Sequence, residues 1–118
     1  MSTYRELRVW KLGHNLTLQI YQLTNLFPKE EKFGLVSQLR RSASSICANI
    51  VEGSARKSRK EFLQYLYQAR GSLAETEYHL LLSKDLKFIT EQKYNELNDL
   101  YIILAKTLNA LIASLKIS

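Results

Sequence analysis

Residues 90–118 read TEQKYNELNDLYIILAKTLNALIASLKIS. Within this stretch Tyr94, Leu97, Tyr101, Leu104, Leu108, Leu111 and Leu115 recur in alternating steps of three and four. Such steps put side chains on one face of an α-helix, and their 3.5-residue mean marks helices packed at shallow angles. Thr90 supplies an N-cap oxygen and Glu91 a carboxylate in the first turn, so a helix over about 90–116 is expected. A helix in a small domain takes most of its stability from packing an apolar face, so the remaining residues have to supply partners.

Three further segments can do so. Val9, Leu12, Leu16, Ile20, Leu23 and Phe27 share one face of a helix over about 5–26, closed by Pro28. Gly13 inside it suggests a close approach by a neighbour. Val36, Leu39, Ala43, Ile46, Cys47 and Ile50 define a second helix over about 34–53, with Gly53 in the place of a C-terminal cap. Ser42, Ala43, Ser44, Ser45 and Ala48 make this helix narrow and suit it to a crowded position. The third helix, over about 58–84, opens with a Ser58–Glu61 capping box and buries Phe62, Leu66, Ala69, Leu73, Thr76 and Leu80. Gly71-Ser72 suggests a second tight contact.

The breaks between segments are short, which makes consecutive helices antiparallel neighbours. With 118 residues the chain forms one domain, and 4 Gly and 1 Pro are too few for the turns of an all-β fold. The expected architecture is all-α: an up-down-up-down antiparallel four-helix bundle spanning 1–118. One cysteine excludes an internal disulfide. The polar N-terminal stretch and the lack of an apolar run near ~20 residues lead us to expect a cytoplasmic protein with no membrane partner.

Apolar side chains exceed what one such core needs. Leu100, Ile103, Ala110 and Ile117 form a second row on the fourth helix, with Ile102 and Ile112 beside it. Leu63, Tyr65, Tyr67 and Leu81 lie off the main row of the third, and Trp10 and Tyr21 off that of the first. A wide stripe can serve a thick core, but the excess favours self-association. Trp10, Tyr65, Tyr67, Leu100 and Ile103 are the residues expected at subunit contacts.

The formal charge is +6, and residues 38–60 alone hold +5 of it. They contain Arg40, Arg41, Arg56, Lys57, Arg59 and Lys60 against Glu52. The 56–60 cluster lies at a helix N-terminus, where free amides and the helix dipole also favour anions. Phosphate is the natural ligand, and a merely solvated turn is the alternative. Glu75 or Glu77 on the third helix is placed to neutralise one of Arg40 and Arg41. No aromatic residues interleave the cluster, so a nucleic acid would be held through its backbone with little sequence preference.

Catalytic patterns are missing. His14 and His79 do not sit at the Glu-x-x-His spacing of a di-iron bundle. Cys47 falls in an apolar row, where a thiol is inert. There is no nucleophile elbow and no phosphate-binding glycine loop. No enzyme activity and no cofactor are expected.

The residues Leu39-Arg40-Arg41-Ser42, Ala48-Asn49-Ile50-Val51-Glu52-Gly53 and Gly71-Ser72-Leu73-Ala74-Glu75, with the lead-in YRELRVWKLG, carry a family likeness. The chain resembles the four-helix bundle proteins encoded in intervening sequences of 23S ribosomal RNA genes. The resemblance implies a ring-forming bundle, typically a pentamer, with a basic surface and no enzymatic activity. It also implies kinship with the accessory variability protein of diversity-generating retroelements, which binds nucleic acid and a reverse transcriptase. RNA or DNA, a further copy of the chain, and a reverse transcriptase or other protein are therefore the partners it suggests. Arg40, Arg41, Asn49, Glu52 and Gly53 match its motif, and Asn49 and Glu52 are expected to bond the second helix to a neighbour. Cys47 stands where many relatives have proline. A protein-interaction scaffold with no nucleic-acid role is the other functional reading.

Overall fold

Four helices, α1 (Arg8–Thr24), α2 (Leu35–Ser54), α3 (Arg59–Asp85) and α4 (Glu91–Ile117), account for most of the chain in a computed structural model that describes residues 3–117. They form a bundle of 45 × 24 × 20 Å, all-α among the described residues. Each expected helix is present, with ends within a few residues of those read from the sequence.

The start of α1 differs most. Tyr4–Glu6 form a single 3-10 turn, Leu7 is extended, and α1 begins only at Arg8. The apolar row starts at Val9, so packing gives no reason for a longer helix. Short 3-10 pieces are common where a chain enters a helix. Two cap assignments hold in detail. Ser58 Oγ accepts from the Glu61 amide at 3.1 Å, and Thr90 Oγ1 accepts from the Lys93 amide at 3.0 Å.

The core follows the apolar rows. Ile20, Leu39, Ile46, Ile50, Leu66, Leu80, Leu97, Leu104 and Leu108 are fully buried. Burying one such side chain contributes roughly 1.5–3 kcal/mol. Along α4 the row drifts. Ile112 is buried after Leu108, while Leu111 and Leu115 are half-buried. A straight helix turns every 3.6 residues and so slips against a 3.5-residue pattern.

Three glycines separate into distinct cases. A Cβ on Gly13 would lie 2.9 Å from Cys47 Sγ, so α1 and α2 meet there as expected. Gly53 is not a cap. It is helical with no positive φ, and a Cβ there would lie 2.7 Å from Tyr65 Cβ and 2.9 Å from Phe62 Cδ1. Its role is close packing of α2 on α3. Gly71 makes no tight contact, because a Cβ there would meet nothing within 4 Å. Its neighbour Ser72 does, with Oγ 2.9 Å from Ser45 Oγ.

The α3–α4 turn holds a conformation that the residues did not signal. Lys87 has φ 66°, and the amides of Lys87 and Phe88 donate to the carbonyls of Lys84 and Ser83 at 2.9 Å each. This is a Schellman closure with lysine in the position that glycine usually takes.

Candidate nucleic-acid interface

The cationic residues do not form one surface. α2 rises about 1.5 Å per residue, so from Arg41 to its end at Ser54 it spans roughly 20 Å, which separates the Arg40–Arg41 pair from the 56–60 cluster along the bundle. Arg40 and Arg41 stand near the α1–α2 connection. The 56–60 cluster stands at the α2–α3 turn.

At the first end the arginines hold the bundle together. Arg40 lies over the Tyr21 ring at 4.6 Å and donates to Thr24 Oγ1 (2.8 Å), the Tyr21 carbonyl (3.2 Å) and Asn25 Oδ1 (3.0 Å). A cation at the C-terminus of α1 complements its dipole and satisfies a carbonyl there. Arg41 pairs with Glu75 of α3 at 2.8 Å, and Glu75 also lies 3.4 Å from His79 Nε2. Of the two acidic residues proposed to neutralise this pair, Glu75 is the one in contact. Glu77 lies elsewhere on α3, and burial raises its carboxyl pKa.

Asn49 behaves otherwise than expected. Its amide donates to the Ser45 carbonyl (2.9 Å) and hydroxyl (3.2 Å), so it bonds within α2 and reaches α3 only through Ser45. An i−4 carbonyl was simply nearer than another helix. Glu52 does reach α3, with Oε1 accepting from the Tyr65 hydroxyl at 3.5 Å.

At the second end, the close fit at Gly53 brings the end of α2 onto Phe62 and Tyr65. Arg56 lies over the Tyr65 ring at 4.9 Å, donates to its hydroxyl, and meets Glu52 Oε1 at 3.3 Å. Lys57, Arg59 and Lys60 are exposed. Among the described residues neither Lys57 nor Lys60 forms an ion pair. Arg59 and Lys60 occupy the first turn of α3, the positive end of its dipole, where a cation is unfavourable by about 0.3–1 kcal/mol. An anion held there would relieve that repulsion.

Beside this turn lies a groove of about 270 Å³. Arg56, Lys57 and Arg59 line it with the hydroxyl residues Thr3, Ser54 and Ser58, over Tyr4, Leu7, Phe62 and Leu115. The sequence did not place Tyr4, Leu7 or Leu115 at a binding surface: Leu115 was read only as part of the α4 apolar row, and Tyr4 and Leu7 only as part of the family lead-in. An up-down-up-down bundle returns both chain ends to the α2–α3 turn, and that topology was the available signal. Tyr4 packs edge-on to Trp10 at 5.2 Å, and Trp10 stacks on His14 at 4.8 Å.

The residues expected at subunit contacts divide in the same way. Trp10, Tyr65 and Tyr67 are half-buried against their own chain, Tyr67 with Arg70 and Lys116 over its ring. Leu100 and Ile103 remain 37% and 42% exposed on the outer face of α4. By length and composition alone, α4 is the one helix among the described residues that could cross a bilayer. It contains an 18-residue stretch of mean hydropathy 1.6, of which 22% is buried in the bundle. Length and composition alone are met, as they are by core helices of soluble bundles.

Cys47 is buried, and desolvation pushes its thiol pKa up to about 11. Burial also raises the phenol of Tyr101, whose hydroxyl has no hydrogen-bond partner among the described residues. Among the described residues no His, Cys, Asp and Glu gather into a metal-binding group.

A crystal structure of a protein of unknown function from the S23 ribosomal protein family of Bacteroides thetaiotaomicron superposes with a TM-score of 0.82. It is 31% identical, and the alignment covers 89% of this chain and 95% of that one. No curated protein matches. The family model described as 23S rRNA-intervening sequence protein matches residues 5–110. Four helices in this order, the likeness to that structure and a match over nearly the whole sequence lead to one assignment: the chain belongs to the 23S rRNA-intervening sequence protein family.

Proposed function

We propose that this protein is a non-enzymatic, self-associating bundle of the cytoplasm that holds the backbone of RNA or DNA at the α2–α3 end. The observation that carries the reading is the cluster Arg56, Lys57, Arg59 and Lys60 at the α3 N-terminus, where the two lysines lack carboxylate partners among the described residues. Arg40 and Arg41 fall outside the binding surface, because their guanidinium groups tie α2 to α1 and α3.

The assembly rests on α4. Leu100, Ile103, Ala110 and Ile117 repeat on its outer face and are exposed in the single chain. A second copy of the same helix is an apolar partner of the right length. Closing such contacts into a pentameric ring would place several basic ends together and turn weak contacts into avidity. The same α4 face also fits another protein, a reverse transcriptase among them, and this is the second reading.

Fluorescence anisotropy with a labelled oligonucleotide tests the binding. Affinity should fall steeply between 50 and 200 mM salt, on the order of 10- to 1,000-fold for a few phosphate contacts. Lys57→Glu with Lys60→Glu should weaken binding to all sequences alike. No binding at low salt would overturn the reading. A partner that stays bound after nuclease treatment, with no oligonucleotide affinity, would favour the second.

A further inference from the structure

The groove beside the α2–α3 turn is too small for a duplex and has the wrong floor for bare phosphate. Its volume of about 270 Å³ lies just under the ~300 Å³ at which small-molecule sites begin. One wall carries Arg56, Lys57 and Arg59; Arg56 meets Glu52 Oε1 at 3.3 Å, while Lys57 forms no ion pair among the described residues. The floor is apolar and aromatic, with the Tyr4 ring braced edge-on by Trp10 at 5.2 Å. A cationic wall above an apolar floor matches one nucleotide: phosphate outside, base within. In a duplex the bases are stacked and paired, and only a single strand can turn one aside without breaking pairs.

We propose that this groove takes a single nucleotide unit of single-stranded nucleic acid, with its phosphate on Lys57 and its base against Tyr4. This rests on the nucleic-acid reading above and adds to it a preference for single strands. It also distinguishes cations which that reading treats alike. Lys57 lines the groove, whereas Lys60 does not. Single-strand preference therefore depends on Tyr4 and Lys57, while Lys60 adds only general attraction.

The test uses the full chain and two fluorescein-labelled DNA probes of one mixed sequence, a 10-mer single strand and its duplex, at equal salt. The single strand should bind about 10-fold tighter, the size of one base–aromatic stack. Tyr4→Ala should abolish this difference and leave duplex affinity within about 2-fold, while Tyr4→Phe should keep it. Trp10, the only tryptophan, should change its emission with the single strand alone. Thermal unfolding of Tyr4→Ala separates loss of the ring from loss of the fold. If both probes bind equally, or a folded Tyr4→Ala keeps the difference, the groove assignment falls and backbone binding stands. If neither probe binds at low salt, both fall.

Discussion

The Arg41 guanidinium and the Glu75 carboxylate meet at 2.8 Å, joining the Leu39–Ser42 motif of α2 to the Gly71–Glu75 motif of α3. Beneath them Thr76 Oγ1 donates to Ser42 Oγ at 2.9 Å, with both side chains fully buried. The two motifs are thus the two halves of one helix–helix seam. The outer contact is half in water and the inner one is dry, so their strengths should differ.

Glu75→Gln should cost less than about 1 kcal/mol, because the Arg41 and Glu75 side chains are 59% and 38% exposed. Thr76→Val leaves the Ser42 hydroxyl without its α3 partner and should cost about 1–3 kcal/mol. Urea unfolding of the two variants measures the difference. Equal losses would mean that the seam is not graded by burial.

Backbone substitutions should split by site. Gly53→Ala should destabilise by about 1–3 kcal/mol, since the methyl group collides with Tyr65 and Phe62 on α3. Gly71→Ala should stabilise by roughly 0.5–1 kcal/mol, because the position is helical and open. Lys87→Gly should gain about 1 kcal/mol by removing the cost of a left-handed side-chain residue. Thermal melts of the three variants would show one downward and two upward shifts.

Alkaline pH should weaken the fold. The folded chain holds the Cys47 proton up to about pH 11, whereas the ordinary thiol value is 9.0. Burial moves the Tyr101 phenol in the same direction. Between about pH 9 and 11 the unfolded chain therefore binds fewer protons, and stability falls as pH rises. Cys47→Ser would leave only the phenol to titrate in this way and should flatten part of the slope seen in denaturant titrations. Thiol reagents at pH 8 should label Cys47 only as fast as the chain opens.

Charge placed on the outer face of α4 should dissolve the assembly proposed above. Leu100→Lys with Ile103→Lys changes side chains that are already partly exposed, so helicity should persist while the mass seen by light scattering drops to one chain. A wild-type chain that is itself monomeric at micromolar concentration would remove the ring from the proposal.

The sequence made the helices legible because the apolar period is strong and long, and caps such as Ser58 and Thr90 sharpen their ends. It also offered Glu75 or Glu77 as the neighbour of one arginine, since antiparallel neighbours bring those turns together, and only the structure picks Glu75. The charge pattern was less legible. A block of +5 looks continuous along residues 38–60, but a straight helix sets its two halves well apart along the bundle. The groove was not visible at all as a linear motif. Tyr4 and Leu115 stand more than a hundred positions apart and become neighbours of Arg56 only when four helices close. Gly53 and Gly71 look alike in the sequence, and only the facing helix tells them apart.

Because Thr3, Tyr4 and Leu115 border the same groove, anything fused to either end of these residues is delivered to its mouth. A polyhistidine tag placed there would add imidazole nitrogens beside Lys57 and change the affinity for anions. Labels and immobilisation handles belong at the far pole, on the 26–33 or 86–90 connection.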